Sequence, residues 1–242
     1  MFKLIAKDQK ARRGQLKLHN GTVETPVFMP VGTLGSVKSL INEDLIGMNA
    51  EIMLANTYHL FLRPGMPVIK AHKGLHSFMK WDRPILTDSG GFQIFSLGSN
   101  VKLTEEGASF ASHLDGKKFT LTPEDCVNIQ ETLGSDIQMV LDECPPHPIS
   151  HHDAEKSLEL TSRWAKRARL AKTRDELKQF GICQGSVFPD LRKKSIEQIV
   201  ELNFDGHAIG GLSVGEEKKH MRDMTELSCS LLPEDKPRYL MG

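Results

Sequence analysis

Residues 122–144 read TPEDCVNIQETLGSDIQMVLDEC, and this stretch sets a pattern that the rest of the chain repeats. Thr122 and Pro123, followed by two acids, predict the start of a helix, and helix-period apolar residues continue as far as Leu133. A short apolar run, Ile137–Leu141, then ends in the polar residues at 142–144. A helix that leads into a short buried strand is typical of βαβ units, the building blocks of a parallel sheet.

The same alternation runs along most of the chain. Seven apolar runs predict strands: Pro26–Val31, Ile52–Ala55, Pro84–Thr87, Ile137–Leu141, Phe180–Cys183, His207–Ile209 and Pro237–Met241. Helical stretches lie between most of them: Ser39–Met48, Pro64–Met79, Pro123–Leu133, His152–Lys172, Pro189–Leu202 and Glu216–Leu231. Because no G-x-G-x-x-G follows the first run, the pattern favours an α/β fold of the (β/α)8 TIM-barrel type over a doubly wound sheet.

Two hairpins are predicted outside this alternation. The runs FKLIAK and QLKLH form an N-terminal β-hairpin region with a turn signal at Asn20-Gly21. A second hairpin, Ser109–Leu121 with Asp115-Gly116 at its turn, is inserted after the third strand. We expect one barrel domain over residues 1–242, incomplete at its C-terminus, because seven strands leave the edges of an eight-stranded barrel unpaired.

Composition excludes several classes of protein. The chain has 242 residues, 31 basic and 31 acidic, and is 39% hydrophobic, so an intrinsically disordered polypeptide is excluded. It has neither a membrane-spanning apolar stretch nor a signal peptide, and we expect a cytoplasmic protein. The four scattered cysteines contain no C-x-x-C pair, which favours reduced thiols over disulfides or a zinc knuckle.

Function in a barrel collects at the carboxyl ends of the strands. Those positions are Asn56-Thr57, Asp88–Gln93, Asp142–Cys144, Gln184–Ser186, Gly210–Leu212 and Met241-Gly242. Two aspartates, a glutamine and backbone exposed by glycines suit a flat, nitrogen-rich heterocycle, with Phe92 and Met241 on its two faces. Each position has a structural alternative, such as a helix cap for an aspartate or a tight turn for two glycines. A barrel without function has no need to make all six ends polar or glycine-rich.

Several motifs carry a more specific signal. They are ETPVFMPVGT (Glu24–Thr33), NTYHL-x-x-RPG (Asn56–Gly65), TDSGGFQ (Thr87–Gln93), LDEC (Leu141–Cys144), CQGS (Cys183–Ser186), GGLSVGE (Gly210–Glu216) and RYLMG (Arg238–Gly242). In order and spacing, over the whole chain, they resemble the tRNA-guanine transglycosylases. The resemblance implies a pentosyltransferase of queuosine biosynthesis, which exchanges guanine at the tRNA anticodon wobble position for a deazaguanine base through a covalent tRNA–enzyme intermediate.

The resemblance also implies roles for individual residues. Asp88 is then the acid/base carboxylate. Ser89, Gly90, Gly91 and Phe92 line the base pocket, and Phe92 stacks on the base. Asp142 and Gln184 bind the edge of the base, Gly211 and Leu212 supply backbone contacts, and Met241 covers the opposite face. Cys144 and Val214 favour the bacterial branch of the family, whose incoming base is preQ1.

Two family features are missing from this sequence. The nucleophilic aspartate and a zinc site of three cysteines and one histidine are implied beyond the Met-Gly motif, so we expect no metal in this chain and zinc ligands beyond Gly242. Glycosidic cleavage by this chain alone is then absent or weak. The implied partners are tRNA, guanine or preQ1, and a homodimer mate or a separate chain that supplies the missing part. No membrane partner is implied.

Four alternatives stay open at this level. The first is that the chain is a non-catalytic subunit that binds the base or pairs with a catalytic partner. The second is that it is an unrelated barrel enzyme that uses Asp88 and Asp142 as a hydrolytic pair. His147 and His151 have the i, i+4 spacing of a metal pair, although the neighbouring prolines favour a plain loop. The basic stretch Arg163–Lys178 could bind RNA or form a solvated surface. Its positive charges would lie on more than one side of a helix, which favours a solvated surface.

Overall fold

The computed structural model describes residues 1–96 and 101–241, so Gly242 of the RYLMG motif lies outside the described residues. The strands are β1 (Phe2–Asp8), β2 (Ala11–Leu18), β3 (Gly21–Thr25), β4 (Val31–Gly32), β5 (Met53–Ala55), β6 (Ile85–Thr87), β7 (Lys102–Leu103), β8 (Ala108–Ala111), β9 (Lys118–Leu121), β10 (Ile137–Met139), β11 (Lys178–Cys183), β12 (Gly206–Ile209) and β13 (Arg238–Leu240). The helices are α1 (Asn42–Gly47), α2 (Thr57–Leu62), α3 (Met66–Ala71), α4 (Leu75–Met79), α5 (Gly91–Phe95), α6 (Pro123–Leu133), α7 (His151–Ala171), α8 (Pro189–Glu201) and α9 (Lys218–Leu231).

The central sheet has seven parallel strands in the order β4-β5-β6-β10-β11-β12-β13. It curls into a half-barrel with flanking helices, which confirms the predicted incomplete (β/α)8 barrel. Within residues 1–96 and 101–241, no strand bridges β4 and β13, so these two strands are the edges of the sheet. Because all seven strands are parallel, their carboxyl ends meet at one rim.

The first predicted strand is much shorter than expected. The sequence predicted Pro26–Val31, whereas β4 covers only Val31 and Gly32. Pro26 and Pro30 have no backbone N–H to donate, so this segment cannot form a full ladder. The Pro30 carbonyl still accepts from Leu54 N at 2.9 Å, which holds the segment beside β5.

Both predicted hairpins are present, and each has gained a strand. At the N-terminus, Asn20-Gly21 joins β2 to β3, and β1 extends the pair into a three-stranded antiparallel sheet. In the insertion, Asp115-Gly116 joins β8 to β9, and β7 pairs with β8. The N-terminal sheet is tied to the barrel because Asn20 N donates to Asp136 Oδ1 at 2.8 Å.

The long helices agree with the predictions, and the short ones do not. In α6, Thr122 Oγ1 accepts from Asp125 N at 3.1 Å as the predicted cap. The single helix predicted over Pro64–Met79 is wrong, because the chain reverses at Lys73 (φ 62°) and Gly74 (φ 110°) and forms α3 and α4 instead. Helices α2 and α5 were not predicted, and both are single short turns next to the rim.

Two large apolar clusters form most of the core. One packs β10, β11 and β12 against α7, α8 and α9, with Phe180, Ile199 and Phe204 fully enclosed. The other packs β5 and β6 against the shorter helices and α6, around Trp81 and Trp164. No helix in the described part of the chain is long and apolar enough to cross a membrane.

Candidate functional site

A cavity of about 200 Å³ opens at the carboxyl rim of the sheet. Its walls come from the segments that follow β6, β10, β12 and β13, which are far apart in sequence. All but two of the predicted site residues line it: Asp88, Ser89, Gly90, Phe92, Asp142, Gly211, Leu212 and Met241. The exceptions, Gly91 and Gln184, lie directly behind the wall and contact residues of the lining.

Asp88 lies at the wall between two loops that bind its carboxylate. Asn56 Nδ2 donates to Oδ2 at 2.5 Å, and Thr57 N and Gly90 N donate to Oδ1 at 3.0 and 3.1 Å. Burial raises the pKa of Asp88 to about 7, although these three donors act in the opposite direction. At neutral pH the side chain therefore exchanges a proton easily, as an acid/base group must.

Asp142 is the second carboxylate of the cavity, and it is only 5% exposed. Ser89 Oγ donates to Oδ1 at 3.2 Å, and Gln184 Nε2 donates to Oδ2 at 2.7 Å. Burial raises the pKa of Asp142 to about 6, so the group is mostly ionised at pH 7. An ionised carboxylate is an acceptor on both oxygens, and it suits a ligand that presents adjacent N–H groups.

The backbone between the two carboxylates needs glycine. Gly90 has φ 80°, and a Cβ at this position would lie 2.9 Å from Tyr58 Cβ. Gly91 donates from its N–H to Ser89 Oγ at 3.1 Å, and a Cβ there would lie 2.8 Å from the Asp142 carbonyl oxygen. The double glycine therefore lets β6 and β10 bring Asp88 and Asp142 to one cavity.

Gln184 faces Asp142 and is fully enclosed. Its backbone N–H donates to Ser195 Oγ at 2.9 Å, which holds the residue at the end of β11. Its side-chain Oε1 is buried and has no hydrogen-bond partner among the described residues. An acceptor left unpaired beside a polar cavity is costly unless a ligand or water completes it.

Two apolar side chains line the cavity, one after the inner strand β6 and the other after the edge strand β13. Phe92, in α5, is 56% exposed, which is unusual for a large aromatic residue. Met241 follows β13 and lines the same cavity. An exposed ring and a thioether that line one cavity are suited to contact the faces of a planar ligand.

The sequence model of the family described as queuine tRNA-ribosyltransferase matches residues 7–242. The chain belongs to this family. The queuine tRNA-ribosyltransferase from Acinetobacter baumannii (strain ATCC 17978) is 54% identical over 245 residues, and the match covers all of this chain. Those from Acinetobacter baylyi and Vibrio campbellii are each 53% identical over the whole chain.

The chain spans about 65% of the length of the Acinetobacter baumannii relative and 64% of the Vibrio campbellii relative. Membership of the queuine tRNA-ribosyltransferase family excludes the alternative of an unrelated barrel hydrolase. It leaves open the choice between an active enzyme and a base-binding subunit, since part of each relative has no counterpart in this sequence.

The histidine pair noted in the sequence forms other contacts in this family member. His151 Nε2 lies 2.7 Å from Asp190 Oδ2, on an exposed surface between α7 and α8. In the described ranges, no group of three or more histidine, cysteine or acidic side chains is placed to hold a metal ion.

The basic stretch on α7 is largely paired with acids. Arg163 Nη2 lies 2.8 Å from Glu105 Oε2, and Arg167 Nη2 lies 2.6 Å from Glu124 Oε2. These exposed ion pairs attach α7 to the β7–β8 turn and to α6, and each contributes little to stability. Paired charge of this kind favours a solvated surface over an RNA groove.

Sequence reasoning did not predict the roles of three residues at the carboxyl rim of the sheet. Asn56 and Thr57 were noted as a polar strand end, but their hydrogen bonds to Asp88 were not expected. Tyr239 lines the cavity next to Met241, and burial raises the pKa of its hydroxyl to about 12. Alternation along β13 could have identified it, because residues 239 and 241 share a face of an extended strand.

Proposed function

We propose that this chain forms the base-binding pocket of a tRNA-guanine transglycosylase, which exchanges guanine at the wobble position of tRNA for preQ1. One observation carries the proposal. Two carboxylates, the half-buried Asp88 and the buried Asp142, share a cavity of about 200 Å³ with glycine-exposed backbone on the facing wall. Guanine offers N–H donors on one edge and a carbonyl oxygen on the next, so it matches both walls.

Asp142 is the proposed recognition residue. Ionised at neutral pH, it accepts from the N1–H and the exocyclic amine of guanine, and adenine lacks that donor pair. Gln184 holds Asp142 in place, because its Nε2 donates to Asp142 Oδ2 at 2.7 Å. Gly211 and Leu212 supply backbone N–H groups for the carbonyl oxygen, while Phe92 and Met241 cover the two faces.

Asp88 is the proposed acid/base residue. When the bond between guanine and ribose C1′ breaks, the departing base takes a proton, and the incoming preQ1 gives one up when it bonds to C1′. A carboxyl whose pKa is about 7 serves for both transfers at neutral pH. The hydrogen bonds from Asn56 and Thr57 keep its oxygens oriented through the cycle.

Exchange on an intact tRNA also needs a group that holds the ribose. A carboxylate nucleophile forms a covalent ribosyl intermediate, as in retaining glycosidases, and the target base must first be turned out of its stack. Asp88 and Asp142 already have other roles in the proposed pocket. We therefore assign the nucleophile and the zinc ligands to residues outside this chain, in a longer polypeptide or a partner subunit.

The choice of incoming base rests on two further lining residues. Cys144 and Val214 both line the cavity. In the family resemblance they mark the bacterial branch, and a valine at 214 leaves less room than the glycine of eukaryotic relatives. This supports preQ1, with its small aminomethyl group, over the bulkier queuine.

Calorimetric titration of the 242-residue chain with guanine, preQ1 and adenine tests the pocket. We expect guanine and preQ1 to bind at least about tenfold more tightly than adenine, because a pocket built for hydrogen bonds rejects a base that leaves them unpaired. Asp223→Asn, an exposed change on α9, is the control and should bind all three bases as the parent does. Equal binding of guanine and adenine, or no binding, would contradict the proposal.

A base-binding subunit without activity is the second candidate, and the same protein distinguishes it. Incorporation of labelled guanine into tRNA by this chain alone would show that the nucleophile is present after all. Tight guanine binding without incorporation, restored by a second chain, would favour the subunit.

A further inference from the structure

Arg192, in the first turn of α8, is a buried arginine without an acidic partner. Its side chain has no exposure to solvent, and among the described residues no carboxylate forms an ion pair with it. Instead its guanidinium donates to three backbone carbonyls: Nε to Ser186 at 2.9 Å, Nη1 to Cys183 at 3.2 Å and Nη2 to Gly211 at 3.1 Å.

A buried charge of this kind is costly. Removing a guanidinium from water is unfavourable by several kcal/mol, and carbonyl dipoles offset that loss only in part. Burial accordingly lowers the pKa of Arg192 to about 10, which still leaves it protonated at neutral pH. An apolar side chain would fill the same space without the cost of burying a charge. The hydrogen bonds from Arg192 to the three carbonyls therefore indicate a role beyond packing.

The carbonyls belong to two loops that meet at the cavity. Cys183 and Ser186 flank Gln184 at the end of β11, while Gly211 follows β12 and lines the cavity. Gly211 has φ 65°, and a Cβ there would clash with Gln184 Oε1. One guanidinium therefore fixes the β11 and β12 loops to each other at the point where both approach the ligand.

The contact with Gly211 also sets the direction of the next N–H. In a planar trans peptide the C=O and N–H groups point in opposite directions. The Gly211 carbonyl points to buried Arg192, so the Leu212 N–H points away from Arg192; both Gly211 and Leu212 line the cavity. Within the described part of the chain, the Leu212 N–H has no acceptor.

We propose that Arg192 is a positioning residue for base recognition: by holding the Gly211 carbonyl, it turns the Leu212 N–H toward the carbonyl oxygen of the bound purine. The ligand class that this favours is a 6-oxopurine or 6-oxo-deazapurine. The inference rests on the proposed function for its ligand, but the orientation of the Gly211–Leu212 peptide is a property of the free protein and is tested separately.

The ligand test compares guanine with 2-aminopurine, which lacks the 6-oxo group. Arg192→Lys keeps the charge but has no planar fork to reach three carbonyls, and Arg192→Met removes the donors. We expect guanine affinity to fall about tenfold in Arg192→Lys, equivalent to about 1.4 kcal/mol, and 2-aminopurine affinity to stay within about twofold. 2-Aminopurine also lacks the N1–H of guanine. The effect of this second difference on binding is the same in the parent and in the variant, so it cancels when their guanine to 2-aminopurine affinity ratios are compared.

Phe204→Leu is the matched control, because Phe204 is fully buried in the same half of the core and does not line the cavity. It should lower the melting temperature while leaving the guanine to 2-aminopurine ratio unchanged. If Arg192→Lys also lowers stability without changing that ratio, Arg192 is a structural residue and the proposal is wrong.

The free protein gives the second readout. In amide spectra of the ¹⁵N-labelled chain without ligand, we expect Arg192→Lys to shift or broaden the Gly211 and Leu212 signals, and Phe204→Leu to leave them in place. Unchanged signals would overturn the proposal even if guanine binds. If the parent chain binds no guanine but the two signals respond only to Arg192→Lys, the proposed function fails while the positioning of the peptide stands.

Discussion

Three aspartates of this chain, Asp88, Asp136 and Asp142, differ in their acidity because of their surroundings. Burial raises the pKa of Asp88 and of Asp142, because at both carboxylates it outweighs the hydrogen bonds that they accept. Asp136 is also enclosed, yet donors from His76, Asn20 and Ile85 outweigh the effect of burial and lower its pKa. Asp136 is thus a structural anion that ties β1–β3 to the barrel, whereas the two cavity aspartates titrate near neutrality.

Asp142→Asn should weaken guanine binding by about 1–3 kcal/mol, because an acceptor on both oxygens becomes a mixed donor and acceptor. Isothermal titration at pH 7.5 measures the change, and Asp223→Asn serves as the control with the same chemistry on an exposed surface. An unchanged guanine affinity would remove Asp142 from the recognition of the base.

The same variant has a predictable effect on stability against pH. Asp142 has a folded-state pKa of about 6 and an ordinary value of 3.8, so between these values the folded state binds a proton that the unfolded state releases. The contribution of Asp142 therefore lowers the parent's free energy of unfolding as the pH rises from 4 to 6. Asp142→Asn has no carboxyl at this position, so its free energy of unfolding does not fall for this reason. We expect the variant's free energy of unfolding to gain roughly 2 kcal/mol on the parent over that window.

Urea unfolding at half-unit steps of pH measures this difference. Asp136→Asn is the opposite case: its lowered pKa contributes stability above pH 3.8 that is lost as the pH falls further. A difference between parent and Asp142→Asn that stays flat from pH 4 to pH 6 would mean that Asp142 is not desolvated.

At the scale of elements, a single side chain of α6 completes the pairing of β6 and β10. Gln130 Nε2 donates to the Met139 carbonyl at 2.8 Å, and its Oε1 accepts from Met139 N at 3.0 Å and from Thr87 Oγ1 at 2.8 Å. The helix thereby supplies hydrogen bonds where the strands diverge toward the cavity. Gln130 thereby links the strand ends that precede Asp88 and Asp142.

Gln130→Leu should lower the free energy of unfolding by about 2–3 kcal/mol, because it leaves a buried N–H and a buried C=O of Met139 without partners. Gln198→Leu is the matched control: its amide bridges Ser162 and Glu159 on the half-exposed contact of α7 and α8, where water replaces lost partners. We expect it to change stability by less than about 1 kcal/mol. Equal losses in the two variants, measured by urea unfolding, would refute this role for Gln130.

At the scale of the whole molecule, the β4 edge carries an apolar surface. Phe28 is 81% exposed and Met48 60%, and both line an open groove beside the edge strand. Contiguous exposed apolar side chains next to unpaired strand edges favour association. Leu170 on α7 is 78% exposed as well, but it stands on the face of a charged helix.

We therefore expect this 242-residue chain to self-associate reversibly in solution. Sedimentation velocity over a hundredfold range of concentration should show larger species, and the double variant Phe28→Ser and Met48→Ser should shift them toward monomer. Leu170→Ser, an equally exposed apolar residue elsewhere, should not. A parent chain that sediments as a monomer at every concentration would contradict the expectation.

The sequence by itself predicts the fold class and the rim at which the site lies. Short apolar runs that alternate with helix-period segments predicted the parallel barrel, because burial on both faces of a strand and on one face of a helix leaves distinct periods. Parallel strands then place their polar ends at one rim, so Asp88 and Asp142 were predicted as neighbours. These features follow from local periodicity and residue type.

Other features were decided only by tertiary structure. The break between α3 and α4, the hydrogen bonds from Asn56 and Thr57 to Asp88, and the contact from Arg192 to Gly211 leave no periodic signal. Each depends on segments that packing brings together across 19 or more positions of chain, or on a backbone reversal within one or two residues. Hydrogen bonds and φ angles of this kind are set by the packed core, whereas sequence patterns report only which surfaces become buried.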